Sequence, residues 1–434
     1  MNNKTSLRAT AWATLSLILC SGAASGHELN TYIGADIQYS DNSRLLPPPG
    51  DVADTWAVPQ VRIDYGLQFT NLEGNLRYSA KRTIYDRGTF PDRTDVLGEG
   101  TFKWTIADRR LFWNFYQNRN RLTINSRDVD TPDNQTNRSV ISTGPVLMLN
   151  FGRDSHLQLG ATYVDTSFDN GMLVSTKQGQ ANINYTQSIG ARSSVGIFGQ
   201  YSDTSSDAAI LDYKSDRAGV NYTGQGQSWQ LELQLGSNHV KRNVGTSFRG
   251  TFASAEFTRT TQNTVWRLSA TQELTDSALG LSLDQSVENP LDNGDGNFGA
   301  SDIIERRRYE ASTVLNFGEG KSTLDVGAWL DQQDYQTLPE DRDVTGARAE
   351  FRYRTSPRVM LSVRANWTQN QFEMALPAAP SEDYDDASWR FSIRYTPNTR
   401  LSLNLWTGGT RRKFDAGTPN VESKPSGLIV EYRI

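Results

Sequence analysis

Apolar and polar residues alternate strictly over many short stretches of this chain. From Val61 to Phe69, every odd position is apolar and every even position is polar or glycine. The same alternation recurs at Trp229–Leu235, Ala347–Tyr353, Trp389–Tyr395 and Leu401–Leu405. Because successive side chains on a strand point to opposite faces, each stretch predicts a β-strand with one apolar and one polar face.

Short clusters of turn-forming residues divide these strands into hairpins. Nine clusters are found: Asn71–Gly74, Ala107–Arg109, Gly152–Ser155, Gly190–Ser193, Gly224–Gln227, Thr261–Asn263, Gly318–Gly320, Ser356–Pro357 and Pro397–Thr399. Each interval between them is long enough for two strands and a longer polar loop. Nine turns separate ten hairpins and predict about 20 strands, with 18 as the alternative.

A sheet of this size needs something to cover its apolar face. The sequence offers neither a second apolar layer nor a helical period, and no stretch after the N-terminal region approaches the ~20 apolar residues of a membrane-spanning helix. Closing the sheet satisfies every backbone group, and lipid then covers the apolar face. We therefore predict an all-β fold, a closed antiparallel transmembrane β-barrel over residues 27–434, with short periplasmic turns, long extracellular loops and both termini in the periplasm.

The N-terminus has the pattern of a cleaved signal peptide covering residues 1–26. Lys4 and Arg8 precede the apolar run Ala11–Cys20, and small residues follow. This leader predicts export and, with the barrel pattern, insertion into the bacterial outer membrane. Cleavage removes Cys20, the only cysteine, so we expect no disulfide and no cysteine metal site. The net charge of −5 becomes more negative without the two basic residues, which argues against nucleic-acid binding.

The polar faces of the strands carry many charges. Twelve residues are predicted to line the pore: Arg62, Asp64, Arg308, Glu310, Arg348, Glu350, Arg352, Arg354, Arg364, Arg390, Arg394 and Arg433. Neighbouring strands lie about 4.8 Å apart, so we expect a basic wall with interspersed acids. Such a wall either tunes the passage of charged solutes or sugars, or forms a salt-bridged lining that stabilises a wide barrel.

Aromatic residues cluster toward strand ends, as Trp104, Trp113 and Tyr395 illustrate. This placement predicts girdles at the two membrane interfaces. Trp329 and Trp406 instead fall on the predicted inner face. Because aromatic faces stack on pyranose rings, they are candidates for a track along which sugars slide.

Signals for catalysis and for metal binding are weak. Of the three histidines, only His239 lies near an outer strand end, and no serine or aspartate is tied to it by a known motif. Asn293 and Asp295 resemble the start of a calcium loop, but Phe298 occupies the position that needs glycine. We expect no enzyme, cofactor or metal. The loop near residues 275–303 is either an external lid or a constriction inside the lumen.

The two ends of the mature chain resemble known outer-membrane barrels. Leu428, Val430, Tyr432 and Ile434 share one face, like the assembly signal that ends such barrels, although a final Phe is usual there. The segment from Thr31 to Asn42 resembles the first strand of the β-barrel porin 2 group, outer-membrane proteins encoded with exopolysaccharide and PEP-CTERM/exosortase clusters. The likeness of pattern extends over the whole mature chain.

This resemblance implies a barrel of this size and a channel for exopolysaccharide export, with no catalytic residues carried over. We therefore expect a porin-like conduit for exopolysaccharide. The alternatives are a general diffusion porin and a plugged barrel that acts as a surface scaffold or outer-membrane enzyme. The expected partners are the lipid bilayer with lipopolysaccharide, the barrel-assembly machinery, polysaccharide and periplasmic export components.

Overall fold

Strands make up nearly all of the chain in the computed structural model, which describes residues 26–124, 129–170, 173–208, 211–276, 302–336, 341–373, 383–415 and 419–434. The strands are β1 (His27–Ser40), β2 (Asp54–Gln68), β3 (Leu72–Tyr85), β4 (Arg93–Ala107), β5 (Leu111–Thr123), β6 (Gln135–Phe151), β7 (Ser155–Phe168), β8 (Thr176–Gly190), β9 (Ser193–Ser206), β10 (Tyr213–Gln225), β11 (Trp229–Arg242), β12 (Ser247–Thr260), β13 (Thr264–Asp276), β14 (Ile303–Phe317), β15 (Ser322–Tyr335), β16 (Arg342–Ser356), β17 (Val359–Phe372), β18 (Tyr384–Tyr395), β19 (Leu401–Phe414), β20 (Val421–Ser423) and β21 (Ser426–Arg433). The described helical structure is one short 3-10 helix, Pro132–Asn134. Within these ranges no helix has the length and apolar character needed to span a membrane.

The strands close into a single antiparallel barrel. Each strand pairs with its neighbour in sequence, and β1 pairs with β21 from Tyr32–Arg433 to Tyr39–Ser426. The segments β20 and β21 both pair with β19 and occupy one strand position. The 21 segments therefore form 20 barrel strands, which confirms the fold predicted from the alternating pattern.

The connections also follow the predicted pattern. Nine connections of two to five residues join one end of the strands, and each overlaps one of the nine predicted turn clusters. In the connection between β14 and β15, Gly318, Glu319 and Gly320 all have positive φ, a conformation that glycine adopts without steric cost. We call this the short-turn end and the opposite one the long-loop end. Residues 1–25 of the predicted signal peptide and residues 277–301 lie outside the described residues.

The two faces of the barrel differ sharply in polarity. Large apolar side chains such as Ile33, Ile197 and Leu235 are at least half exposed on the outer face. Near the short-turn end this face also exposes Trp104 and Trp113, as the girdle prediction requires. A continuous exposed apolar belt is stable only against lipid or another apolar partner. The charged residues predicted to line the pore lie on the opposite face, toward the lumen.

The corner after β1 holds the first and last strands together. Asp41 accepts a hydrogen bond from the backbone N–H of Lys424 at 2.7 Å, and Asn42 Nδ2 donates to the carbonyl of Glu422 at 2.9 Å. Between β20 and β21 the last strand is interrupted at Pro425, which has no N–H to donate to a neighbour. Asp41 and Asn42 therefore hold the barrel closed beside this interruption.

Candidate functional site: the inner wall of the barrel

The predicted pore-lining residues share the inner face of the barrel. Each is paired across to an inward-facing residue of the neighbouring strand. Along its own strand, each is flanked by residues of the apolar outer face. They are Arg62 and Asp64 on β2, Arg308 and Glu310 on β14, Arg348, Glu350, Arg352 and Arg354 on β16, Arg364 on β17, Arg390 and Arg394 on β18, and Arg433 on β21.

Arg62 links the inner wall across the barrel closure. Its guanidinium lies 2.7 Å from Glu431 on β21 and 3.5 Å from Asp64 on its own strand. It also stacks 3.9 Å from the ring centre of Tyr32. Asp64 in turn lies 3.3 Å from Arg77 on β3. These charges neutralise one another, so this part of the wall fits the stabilising interpretation.

Glu310 is held between Arg308 of its own strand and Arg348 of β16, two strands away. Its carboxylate oxygens lie 3.2 Å from Arg308 Nη2 and 3.4 Å from Arg348 Nη2. The three side chains are about a quarter exposed, so their attraction is only partly screened by solvent. They form a fixed patch that both donates and accepts hydrogen bonds.

A strip of excess positive charge runs over β16, β17 and β18. Glu350 lies 2.8 Å from Arg364 and 3.3 Å from Arg352. Arg390 lies directly opposite Arg364 across the β17–β18 pair. Within the described part of the chain, three members of the strip form no ion pair: Arg354, Arg390 and Arg394. On this part of the inner wall the arginines therefore outnumber the acidic residues.

Two inward tryptophans lie flat against glycines of the next strand. A Cβ at Gly346 would come within 2.2 Å of the Trp329 ring, and one at Gly427 within 2.8 Å of Trp406 Nε1. Trp406 is only 7% exposed, and Arg390 stacks 4.0 Å from its ring centre. Trp329 keeps part of its surface open to the lumen. Of the two predicted stacking platforms, Trp329 is thus the accessible one.

The wall formed by β7, β8 and β9 carries no charge on its inner face. The cross-strand register aligns the side chains of Gln158, Gln180, Asn182, Asn184 and Gln200 there. This amide wall was missed because the sequence analysis searched for charges. Its signal is nevertheless visible in the sequence, where the inward positions of β8 are Gln, Asn or Thr from residue 178 to residue 186.

Buried inner side chains concentrate toward the long-loop end. Arg242 lies 2.5 Å from Asp302, and Arg306 lies 2.5 Å from Asp331; all four side chains are at most 12% exposed. Arg342 is buried and donates to Asn370 at 2.5 Å. The inner wall is therefore shielded from solvent at this end and more exposed toward the short turns.

One pair of titratable residues, His239 and Asp216, lies on the outer face of the barrel and not on the inner wall. His239 Nδ1 is 3.2 Å from Asp216 Oδ1, because the β10–β11 register places the two residues directly opposite each other. The sequence analysis had not tied an aspartate to this histidine. Among the described residues, no group of three or more metal-ligating side chains occurs. The calcium-like segment with Asn293 and Asp295 lies outside them.

Comparisons with known proteins bear on the fold. No protein-family model matches the chain, and no curated protein matches it. Among solved structures, the chain is similar to the siderophore receptor PirA from Pseudomonas aeruginosa, at 8% identity over 95% of this chain and 81% of that one, with a TM-score of 0.50. It is also similar to the FrpB iron transporter (F5-1 variant) from Neisseria meningitidis, at 10% identity over 94% and 83%, with a TM-score of 0.52. The outer membrane protein OpdK from Pseudomonas aeruginosa matches at 12% identity over 94% and 99%, with a TM-score of 0.39.

At these identities the likeness concerns the fold alone. The chain has the architecture of an outer-membrane β-barrel, in agreement with the exposed apolar belt and the closed antiparallel sheet.

Proposed function

We propose that this barrel is an outer-membrane channel that conducts a saccharide polymer out of the cell, a conduit for exopolysaccharide. One observation carries the proposal: the inner wall combines an accessible tryptophan, an uncharged amide wall and a strip of excess positive charge in which three arginines form no ion pair. This combination suits a polymer that presents hydroxyl groups, sugar faces and acidic substituents.

Each part of the wall has a distinct role in this proposal. The amide side chains on β7–β9 donate and accept hydrogen bonds, as sugar hydroxyls do. Trp329 offers an apolar surface to a pyranose ring beside the polar patch around Glu310. Arg354 and Arg394 attract carboxylate groups of acidic sugars. Several weak sites in series allow a chain to enter and also to leave.

The same proposal implies one orientation of the barrel in the outer membrane. The short-turn end and both termini lie in the periplasm, and the long loops lie outside. Leu428, Val430 and Tyr432 share the outer face, where barrel-assembly machinery reads such a signal. The apolar belt contacts lipid, and lipopolysaccharide surrounds the outer part of the barrel. Periplasmic export components deliver the polymer to the short-turn end.

A second candidate, a closed barrel that serves as a surface scaffold, is favoured by the long-loop end. There the inner wall is buried and paired, as Arg242 with Asp302 and Arg306 with Asp331. A general diffusion porin is the third candidate, and it would admit solutes by size without preference for sugars.

Efflux from liposomes separates the three candidates. The refolded chain is inserted into vesicles loaded with fluorescent oligosaccharides of equal length, either neutral or uronate-containing. We predict release of both, with the acidic oligomer released faster, and a loss of that difference in Arg394→Gln. Arg400→Gln, in an exposed short turn, is the matched control. Equal release of the neutral and the acidic oligomer would favour a diffusion porin, and no release at all would favour the scaffold.

A further inference from the structure

The inner wall is not the only polar surface described. The outer wall also carries a group of polar side chains, on strands β10, β11 and β12. His239 faces Asp216 at 3.2 Å across the β10–β11 pair. Ser237 lies two residues before His239 on the same strand and is exposed on the same face. Residues two apart on a strand are separated by about 6.6 Å and project from the same face. Serine, histidine and aspartate thus occur side by side outside the barrel.

One ring nitrogen of the histidine is paired with a carboxylate. Its Nδ1 faces the Asp216 carboxylate, which accepts a hydrogen bond only if Nδ1 carries the proton. Nε2 is then the basic nitrogen, free to take a proton from a hydroxyl group. Asp216 is 66% exposed and His239 is 28% exposed, so water reaches the pair.

An apolar groove lies directly below these residues on the outer face. It has a volume of about 820 Å³, with Leu233 and Leu235 of β11 in its lining. Ala253 and Ala255 lie opposite these leucines on β12, where small side chains leave the surface concave. The groove runs across strands β8 to β14 at the level of Leu233 and Leu235, and Ser237 is the next outward position on β11 toward the long-loop end.

Cationic side chains surround the polar group above the groove. Arg249 lies opposite His239 on β12, and Lys241 follows on the outer face two residues beyond His239. Lys214 lies opposite Lys241 on β10. A membrane lipid presents its parts in the same order: acyl chain, ester group, then phosphate.

We propose that Ser237, His239 and Asp216 form an ester-hydrolase site that cleaves acyl chains from lipids of the outer leaflet. The groove binds the acyl chain, and Arg249 and Lys241 bind the phosphate group. This proposal goes beyond the channel function, does not depend on it, and departs from the expectation that the chain has no enzymatic role.

The reaction proceeds in two balanced halves. His239 Nε2 takes the proton of the Ser237 hydroxyl while Oγ forms a bond to the ester carbonyl carbon. The intermediate collapses, the bond to the lipid alcohol breaks, and that alcohol leaves with the proton from His239. Water then gives a proton to His239 and attacks the acyl-serine. The fatty acid is released as Ser237 regains its proton. Asp216 acts as a positioning residue by holding the imidazole tautomer.

The test uses the full chain refolded into vesicles of phosphatidylethanolamine with a fluorescent acyl chain. Release of the fluorescent fatty acid is followed over time, and a fluorophosphonate probe labels the nucleophilic serine covalently. We expect release and labelling with the unmodified chain, and loss of both in Ser237→Ala. Asp216→Asn should lower kcat by about 10²–10⁴-fold and leave KM nearly unchanged.

Two controls make the outcome decisive. Ser215→Ala removes a serine that faces the lumen on β10, and it should leave both release and labelling unchanged. Folding of every variant is checked by its mobility on gels before and after heating. A folded, unmodified chain that releases no fatty acid and takes up no probe would overturn the proposal, as would full activity in Ser237→Ala. Conductance is unaffected by either result, so the channel function is judged separately.

Discussion

Replacing Asn42 with alanine should weaken the closure of the barrel. The Asn42 amide donates to the carbonyls of Leu46 at 2.7 Å and Glu422 at 2.9 Å, and its Oδ1 accepts from the Leu46 N–H at 3.1 Å. The residue is only 3% exposed, so water cannot replace these partners. Three lost hydrogen bonds at about 0.5–1.5 kcal/mol each predict a loss of about 1.5–4.5 kcal/mol in the free energy of unfolding.

Unfolding by urea in lipid vesicles, followed by tryptophan fluorescence, measures this effect. Asn263→Ala is the matched control, because Asn263 is exposed in a short turn and should change stability by less than about 0.5 kcal/mol. Equal stability of Asn42→Ala and the unmodified chain would refute the claim that this corner closes the barrel.

Three further predictions concern the faces and the packing of the wall. Leu235→Arg places a charge in the lipid-facing belt and should lower folding stability by about 2–4 kcal/mol in urea titrations, whereas Gln234→Arg on the inner face should be tolerated; equal effects would contradict the assignment of faces. Glu350→Gln frees two arginines and should shift the reversal potential of the channel toward anions, and an unchanged potential would exclude this strip from the ion path. Gly144→Ala adds a Cβ that would lie 1.8 Å from a backbone oxygen, which predicts a loss of about 1–3 kcal/mol of stability, whereas Gly179→Ala has open space and should be neutral in the same assay.

The positions of the strands and the face that each residue occupies could be predicted from the sequence because both follow local rules. Side-chain direction alternates with every residue, so the inner positions of β16 follow directly from Ala347–Tyr353. The turns that limit each hairpin depend on residues such as Gly318 and Gly320, whose backbone freedom is a local property.

Predicting which residues contact each other between strands requires the strand register as well as the face that each residue occupies. Asp216 and His239 lie at equal distances from the turn that joins β10 to β11, so counting outward from that turn would have paired them. Arg242 and Asp302 are different, because Asp302 lies before β14, outside any alternating run. Their pairing depends on how the chain returns after β13, which no local pattern determines.

Single-channel conductance in planar bilayers tests the central claim, that the inner wall lines an open path for saccharides. The refolded chain is measured alone, with a neutral polysaccharide and with an acidic one. We predict a steady conductance that both polymers block, with longer blocks by the acidic polymer that shorten in Arg394→Gln. A silent barrel, or a conductance that neither polymer affects, would contradict the claim.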